Sequence, residues 1–148
     1  MLRRTTKMVL ASAVLALPLS ALASSPLGTW KTIDDKTGKA KSFVTIEAHD
    51  GTLSGTVTRI LDEAKRDAIC EKCDGDRKDQ KIEGMTILWN MQPVGEKYDG
   101  GKIIDPESGK IYSANMKVLN NGNQLKVRAY IGFSLIGRSQ TWERVQEK

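Results

Sequence analysis

Gly28-Thr29-Trp30-Lys31, near the start of the chain, and Trp142-Glu143-Arg144, near its end, decide the reading of the fold. A Gly-x-Trp opening a first strand, with an aromatic and an arginine on a last strand, suits a small closed sheet whose terminal strands meet. Residues two apart in a strand share a face, so Trp142 and Arg144 point the same way. Trp30 can then plug one end of the sheet while the arginine covers it, a cation–π contact worth about 0.5–2 kcal/mol. Gly28, Trp30, Trp142 and Arg144 are therefore expected to close a barrel rather than to touch a ligand.

Working inward, strand-like runs alternate with turn chemistry, and no segment shows a long helical period. Leu27 to Asp34 is followed by Ser42 to Ala48, whose Phe43, Val44, Thr45 and Ile46 are good strand formers. His49-Asp50-Gly51 reads as a tight hairpin, and Thr52 to Leu61 then places Leu53, Gly55 and Val57 on one face. Strands resume at Gly84 to Met91 and, past a loop expected over Pro93 to Gly100, at Gly101 to Asp105. Asp105-Pro106-Glu107-Ser108-Gly109 is a turn in which Asp accepts a backbone bond and Pro presets φ. Lys110 to Leu119, the hairpin signal Asn120-Asn121-Gly122-Asn123, Gln124 to Gly132 and Ser139 to Val145 complete the set. The expected fold is all-β, an eight-stranded antiparallel up-and-down barrel without free edges. A two-sheet sandwich would show the same alternation.

Residues 62 to 83 break this rhythm with mixed charges, too long a stretch for an ordinary hairpin connection. A short helical turn near Asp62 to Ala68 fits it. The segment reads first as a solvated excursion and second as a lid over the barrel mouth. The chain's two cysteines, Cys70 and Cys73, lie within it. In an oxidising compartment such neighbours pair, and so small a ring stabilises by about 2 kcal/mol. A zinc site would need four ligands, and a redox pair would need a helix N-terminus at the first cysteine; neither is visible.

Ahead of the strands, residues 1–23 read as a signal peptide: Arg3, Arg4 and Lys7 form a basic head, Met8 to Leu19 an apolar run, and Ala21-Leu22-Ala23 a cleavage site. The run is shorter than the roughly 20 residues of a membrane span. Cleavage near Ala23 would leave a periplasmic or secreted domain over residues 24–148, its net charge lowered from +5 to +2 by the three cations lost. The remaining charges are mixed, whereas nucleic-acid binding needs a basic stripe.

Catalysis finds little support. His49 is the single histidine and stands in a turn beside Asp50, with no pocket for a general base. Asp74-Gly75-Asp76 with Asp79 lacks the spacing of a calcium loop. No enzyme activity, cofactor or metal is expected. The best binding residues are those that alternation turns inward: Val57, Trp89, Tyr112, Met116, Val127 and Ile131. They could line an apolar cavity, and they fill a solid core equally well. Arg128 and Tyr130 fall on the opposite face. Arg138 and Gln140, beside Gly137, could meet an anionic group or cap backbone carbonyls.

Gly28-x-Trp30 resembles the opening of lipocalins and fatty-acid-binding proteins, together the calycins. With Cys70-x-x-Cys73, Ile104-Asp105-Pro106, Ser108-Gly109-Lys110-x-Tyr112, Leu125-x-Val127-Arg128, Tyr130-Ile131-Gly132 and Gly137-Arg138-x-x-x-Trp142-x-Arg144, the chain resembles a secreted bacterial family, domain of unknown function number twenty-one forty-seven. Ala129 stands where that family's glycine is expected. The resemblance implies an exported lipocalin-like barrel and no established enzymatic activity. The function expected is burial of a small apolar or amphipathic molecule in the barrel. The alternative is a protein-interaction module of the cell envelope that works through the charged Cys70/Cys73 loop.

Overall fold

The computed structural model describes residues 25–133 and 135–146, so the expected signal peptide lies outside the described residues. Eight strands follow in order: β1 (Gly28–Ile33), β2 (Ala40–His49), β3 (Thr52–Ile60), β4 (Thr86–Val94), β5 (Lys97–Asp105), β6 (Lys110–Leu119), β7 (Gln124–Tyr130) and β8 (Gly137–Arg144). Each pairs antiparallel with the next, and β8 returns to β1 to close the barrel. Closure leaves no edge open to another chain.

Cross-strand registers follow the apolar alternation. Val44 stands opposite Val57 and Ile46 opposite Gly55; Met116 faces Val127 and Val118 faces Leu125. Val44, Ile46, Leu88, Met91, Met116 and Leu125 are buried. At the β2–β3 hairpin Asp50 (φ 49°) and Gly51 (φ 80°) both adopt the left-handed geometry that a tight turn demands.

The register shifts at several points, in the β1–β2, β2–β3, β3–β4 and β5–β6 ladders, and two departures from the expected pattern matter most. The loop expected over Pro93 to Gly100 is instead strand: Val94 pairs with Lys97 and Pro93 with Tyr98, leaving a two-residue turn at Gly95-Glu96. Pro93 lies beyond the last β3–β4 pairing, Leu53 with Met91, so its missing N–H does not interrupt that ladder. Secondly, Leu88 is opposite Gly55 but Thr86 is opposite Thr56. Ile87 is the extra residue of a β-bulge, and it resets which β4 side chains face inward.

Because the strands run up and down, the termini share one end with the β2–β3, β4–β5 and β6–β7 turns. Trp30, fully buried, fills that end and donates its Nε1–H to the Pro26 carbonyl at 2.7 Å. Arg144 stands opposite Trp30 in the β1–β8 ladder, with its guanidinium 4.2 Å from the ring centre. It donates to the carbonyls of Leu27 (2.8 Å), Ser25 (2.6 Å) and Gly122. Burial lowers its pKa.

The other end carries the β1–β2, β5–β6 and β7–β8 turns together with the long segment between β3 and β4. That segment is exposed along most of its length, as a solvated excursion would be, but it is anchored at its centre. Cys70 and Cys73 form a disulfide and are both buried. The Cys70 amide donates to the Gln80 carbonyl, Asp79 to Cys70 and Ile82 to Ala68, so the loop folds on itself as a narrow ladder. Its charges stay in water while its sulfur spine packs on the β5–β6 turn. Gly109 (φ +70°) seals that contact, since a Cβ there would fall 1.9 Å from the Lys72 carbonyl oxygen. The expected helical turn is a short 3-10 segment, Glu63–Lys65, capped by the Asp62 carboxylate.

Candidate functional site

A cavity of about 730 Å³ opens at the disulfide-loop end of the barrel. Its inner wall is apolar: Ile33, Val57, Ile60, Ile87, Ile103 and Val127, with Trp142 below. Closer to solvent it meets Asp34, Asp35, Lys36 and Lys39 of the β1–β2 turn, Lys41 of β2, Asp62 and Lys65 of the long loop, Glu107 and Arg138. The mouth is thus a collar of both signs over a greasy interior. An apolar body with a polar or charged end fits such a site.

Several collar charges hold one another. The Asp35 carboxylate accepts from Gln140 Nε2 at 2.8 Å and lies 3.3 Å from Arg138 Nη2. Arg138 and Gln140 therefore hold a carboxylate of the neighbouring turn, and among the described residues neither caps a backbone carbonyl. Gln140 also accepts the Trp142 Nε1–H at 2.9 Å, which links rim to floor. Asp34 Oδ1 accepts from the Thr37 amide at 2.8 Å, the Thr37 hydroxyl at 3.0 Å and the Lys36 amide at 3.0 Å. The Thr37 amide bond, more than the others, lowers the Asp34 pKa. Lys41 pairs with Glu107 at 2.8 Å across the mouth.

Of the six residues expected to line a cavity, Val57, Tyr112 and Val127 do so. Trp89 does not. The bulge at Ile87 turns Trp89 outward to pair with Lys102, and the Arg77 guanidinium covers it at 4.3 Å. Met116 lies deeper, packed in the core between Tyr98 and Val127. Ile131 lies one residue past the end of β7 and is 68% exposed. Gly28, Trp30 and Arg144 gather at the closed end, whereas Trp142 joins closure and cavity at once. Alternation missed Ile87, because a bulge leaves no clear mark in the sequence. Ala68 and Ile82 of the disulfide loop also reach the cavity.

His49 and Asp50 sit at the opposite end from the mouth, 82% and 92% exposed. Among the described residues no cluster of three or more His, Cys, Asp or Glu side chains could hold a metal ion, and no helix is long and apolar enough to cross a membrane. Tyr130, on the outer face, donates to Asp99 at 3.3 Å. Burial, helped by that carboxylate, raises its pKa.

An eight-stranded up-and-down barrel, plugged at one end and hollow at the other, is a lipocalin-like architecture. The chain belongs to the family described as "uncharacterized protein conserved in bacteria (DUF2147)", whose model matches residues 28–144. Among solved structures it is similar to protein HP1028 from the human pathogen Helicobacter pylori, described as belonging to the lipocalin family. The two share 22% identity over 84% of this chain and 85% of that one, with a TM-score of 0.74. No curated protein matches the sequence.

Proposed function

We propose that this protein is an exported carrier that buries one small apolar or amphipathic molecule in its barrel without changing it chemically. The cavity carries the reading. Its volume of about 730 Å³ falls within the roughly 300–1,000 Å³ typical of small-molecule sites, and the inner part of its wall is aliphatic. The polar collar suits a ligand with one hydrated end. Export to the periplasm or beyond rests on the basic head, apolar run and small-residue cleavage site at the N-terminus. No chemical step is part of this reading.

The test is native mass spectrometry of protein purified from its own host, followed by solvent extraction, with titration by a fluorescent fatty acid in parallel. A bound species of one-to-one stoichiometry, or saturable probe binding that quenches tryptophan emission, supports the reading. A chain that carries nothing and binds no apolar probe sinks it.

A second reading, capture of a protein partner by the Cys70/Cys73 loop, is favoured by one observation. A buried disulfide there holds exposed charges of both signs, Glu71, Lys72, Asp74 and Asp76, on a fixed scaffold. Removing residues 66–80 would also strip buried sulfur from the core, so charge reversal at Lys72 and Asp76 is the cleaner test. Partners retained after reversal would exclude it.

A further inference from the structure

Large exposed hydrophobic residues are not scattered evenly over this barrel. Of the eight such residues among those described, Ile111 (51%), Ile131 (68%), Phe133 (77%), Leu135 (90%) and Ile136 (69%) lie at one corner of the mouth end. Four belong to the β7–β8 connection, and Ile111 lies on β6 two residues from Ser113, which pairs with Tyr130 at the end of β7. Single exposed aliphatics need no explanation, but a contiguous group marks an interaction surface.

We propose that this corner docks on an anionic lipid surface and holds the cavity mouth against it. Three observations favour a bilayer over a protein groove. Four apolar side chains, 68–90% exposed, fall within the single connection 131–136, so they are offered together to a deformable apolar medium. The turn also bonds within itself: Ile131 N–H donates to the Ile136 carbonyl at 3.3 Å and Ile136 N–H to Phe133 at 3.0 Å, so these amides need no water when they leave it. Finally, the β1–β2 turn beside it presents cations. Lys36 and Lys39 are exposed and their side chains make no ion pair among the described residues. The neighbouring acids are engaged, Asp34 by its own turn and Asp35 by Arg138 and Gln140. Lysines beside an apolar anchor add attraction to anionic headgroups.

Docking goes beyond the carrier reading and holds whether or not the cavity is filled. With Ala129 and Arg138 on the strands that lead out of this turn and also lining the cavity, an inserted tip would bring the opening to the membrane face.

The experiment is co-sedimentation of the full chain with phosphatidylcholine vesicles, with and without phosphatidylglycerol. Binding to the anionic vesicles, weakened by salt, is expected. The double variant L135S/I136S should lose affinity by about tenfold or more, and K36E/K39E should lose the preference for phosphatidylglycerol. These residues are exposed, so thermal unfolding should be nearly unchanged. The cavity-filling variant Ala129→Phe should still bind vesicles, which separates docking from ligand carriage. No vesicle binding, or equal binding by L135S/I136S, overturns the proposal. So does a lipid-free dimer that L135S/I136S dissolves, since that assigns the corner to self-association.

Discussion

Arg144 and Trp30 stand opposite each other where the last strand meets the first, the guanidinium 4.2 Å from the indole ring centre. The same guanidinium gathers the carbonyls of Ser25, Leu27 and Gly122, so one side chain ties the entry of β1, the exit of β8 and the β6–β7 turn. Arg144→Ala should lower unfolding free energy by at least about 2 kcal/mol, since charge-assisted bonds contribute about 1.5–3 kcal/mol and the ring contact adds to them. Arg144→Lys should recover little, because an ammonium lacks the planar fork. Urea unfolding followed by circular dichroism reads this. An unchanged midpoint would show that the carbonyl contacts are idle.

Filling the cavity should remove binding without unfolding the barrel. Ala129 lines the cavity and is partly exposed to it, so Ala129→Phe places a ring in open space instead of packed core. Probe affinity should fall by about tenfold or more, the loss of roughly 1.4 kcal/mol or greater. Thermal unfolding should stay near that of the parent. Full probe affinity in this variant would place the ligand elsewhere.

Most of the barrel was legible because its signals are local. Asp50-Gly51, Pro106 to Gly109 and Asn120 to Asn123 each announce a turn, and the strands of β6 and β7 alternate without a break. What escaped depends on contacts between strands. Pro93 looks like a breaker until one sees that it lies past the end of the β3 ladder. Trp89 has the inward parity only if Ile87 is not an extra residue. Ile131 keeps the parity of β7, yet β7 ends before it. The charged composition of residues 62–83 concealed a buried spine, because the groups that pack are two sulfurs, Ile82 and main chain.

The disulfide should matter more to that loop than to the barrel. Replacing Cys70 and Cys73 with serine forfeits about 2 kcal/mol of loop restraint and places hydroxyls in a buried setting. Hydrogen exchange should quicken at the amides of Cys70, Asp79 and Ile82, while those of β6 and β7 stay protected. Gly109→Ala should loosen the same loop from outside, because its Cβ would collide with the Lys72 carbonyl. Uniform loss of protection across the strands would instead make the disulfide a global staple.

Acid should loosen the rim turn before the barrel. The Asp34 carboxylate is held below its usual value of 3.8, first by the Thr37 amide and then by the Thr37 hydroxyl. A carboxylate whose folded pKa is lowered stabilises the fold fully above its unfolded value, and that contribution fades as pH falls through the folded one. The local effect should therefore be constant at neutral pH, begin to weaken near pH 3.8 and vanish below the lowered value. Amide shifts of Lys36 and Thr37, followed by NMR through this range, should move with Asp34, and Asp34→Asn should flatten them. Because Asp34 also lines the cavity mouth, the change should appear in probe binding by the parent and be muted in the variant. Identical acid profiles for the two proteins would separate the turn from the site.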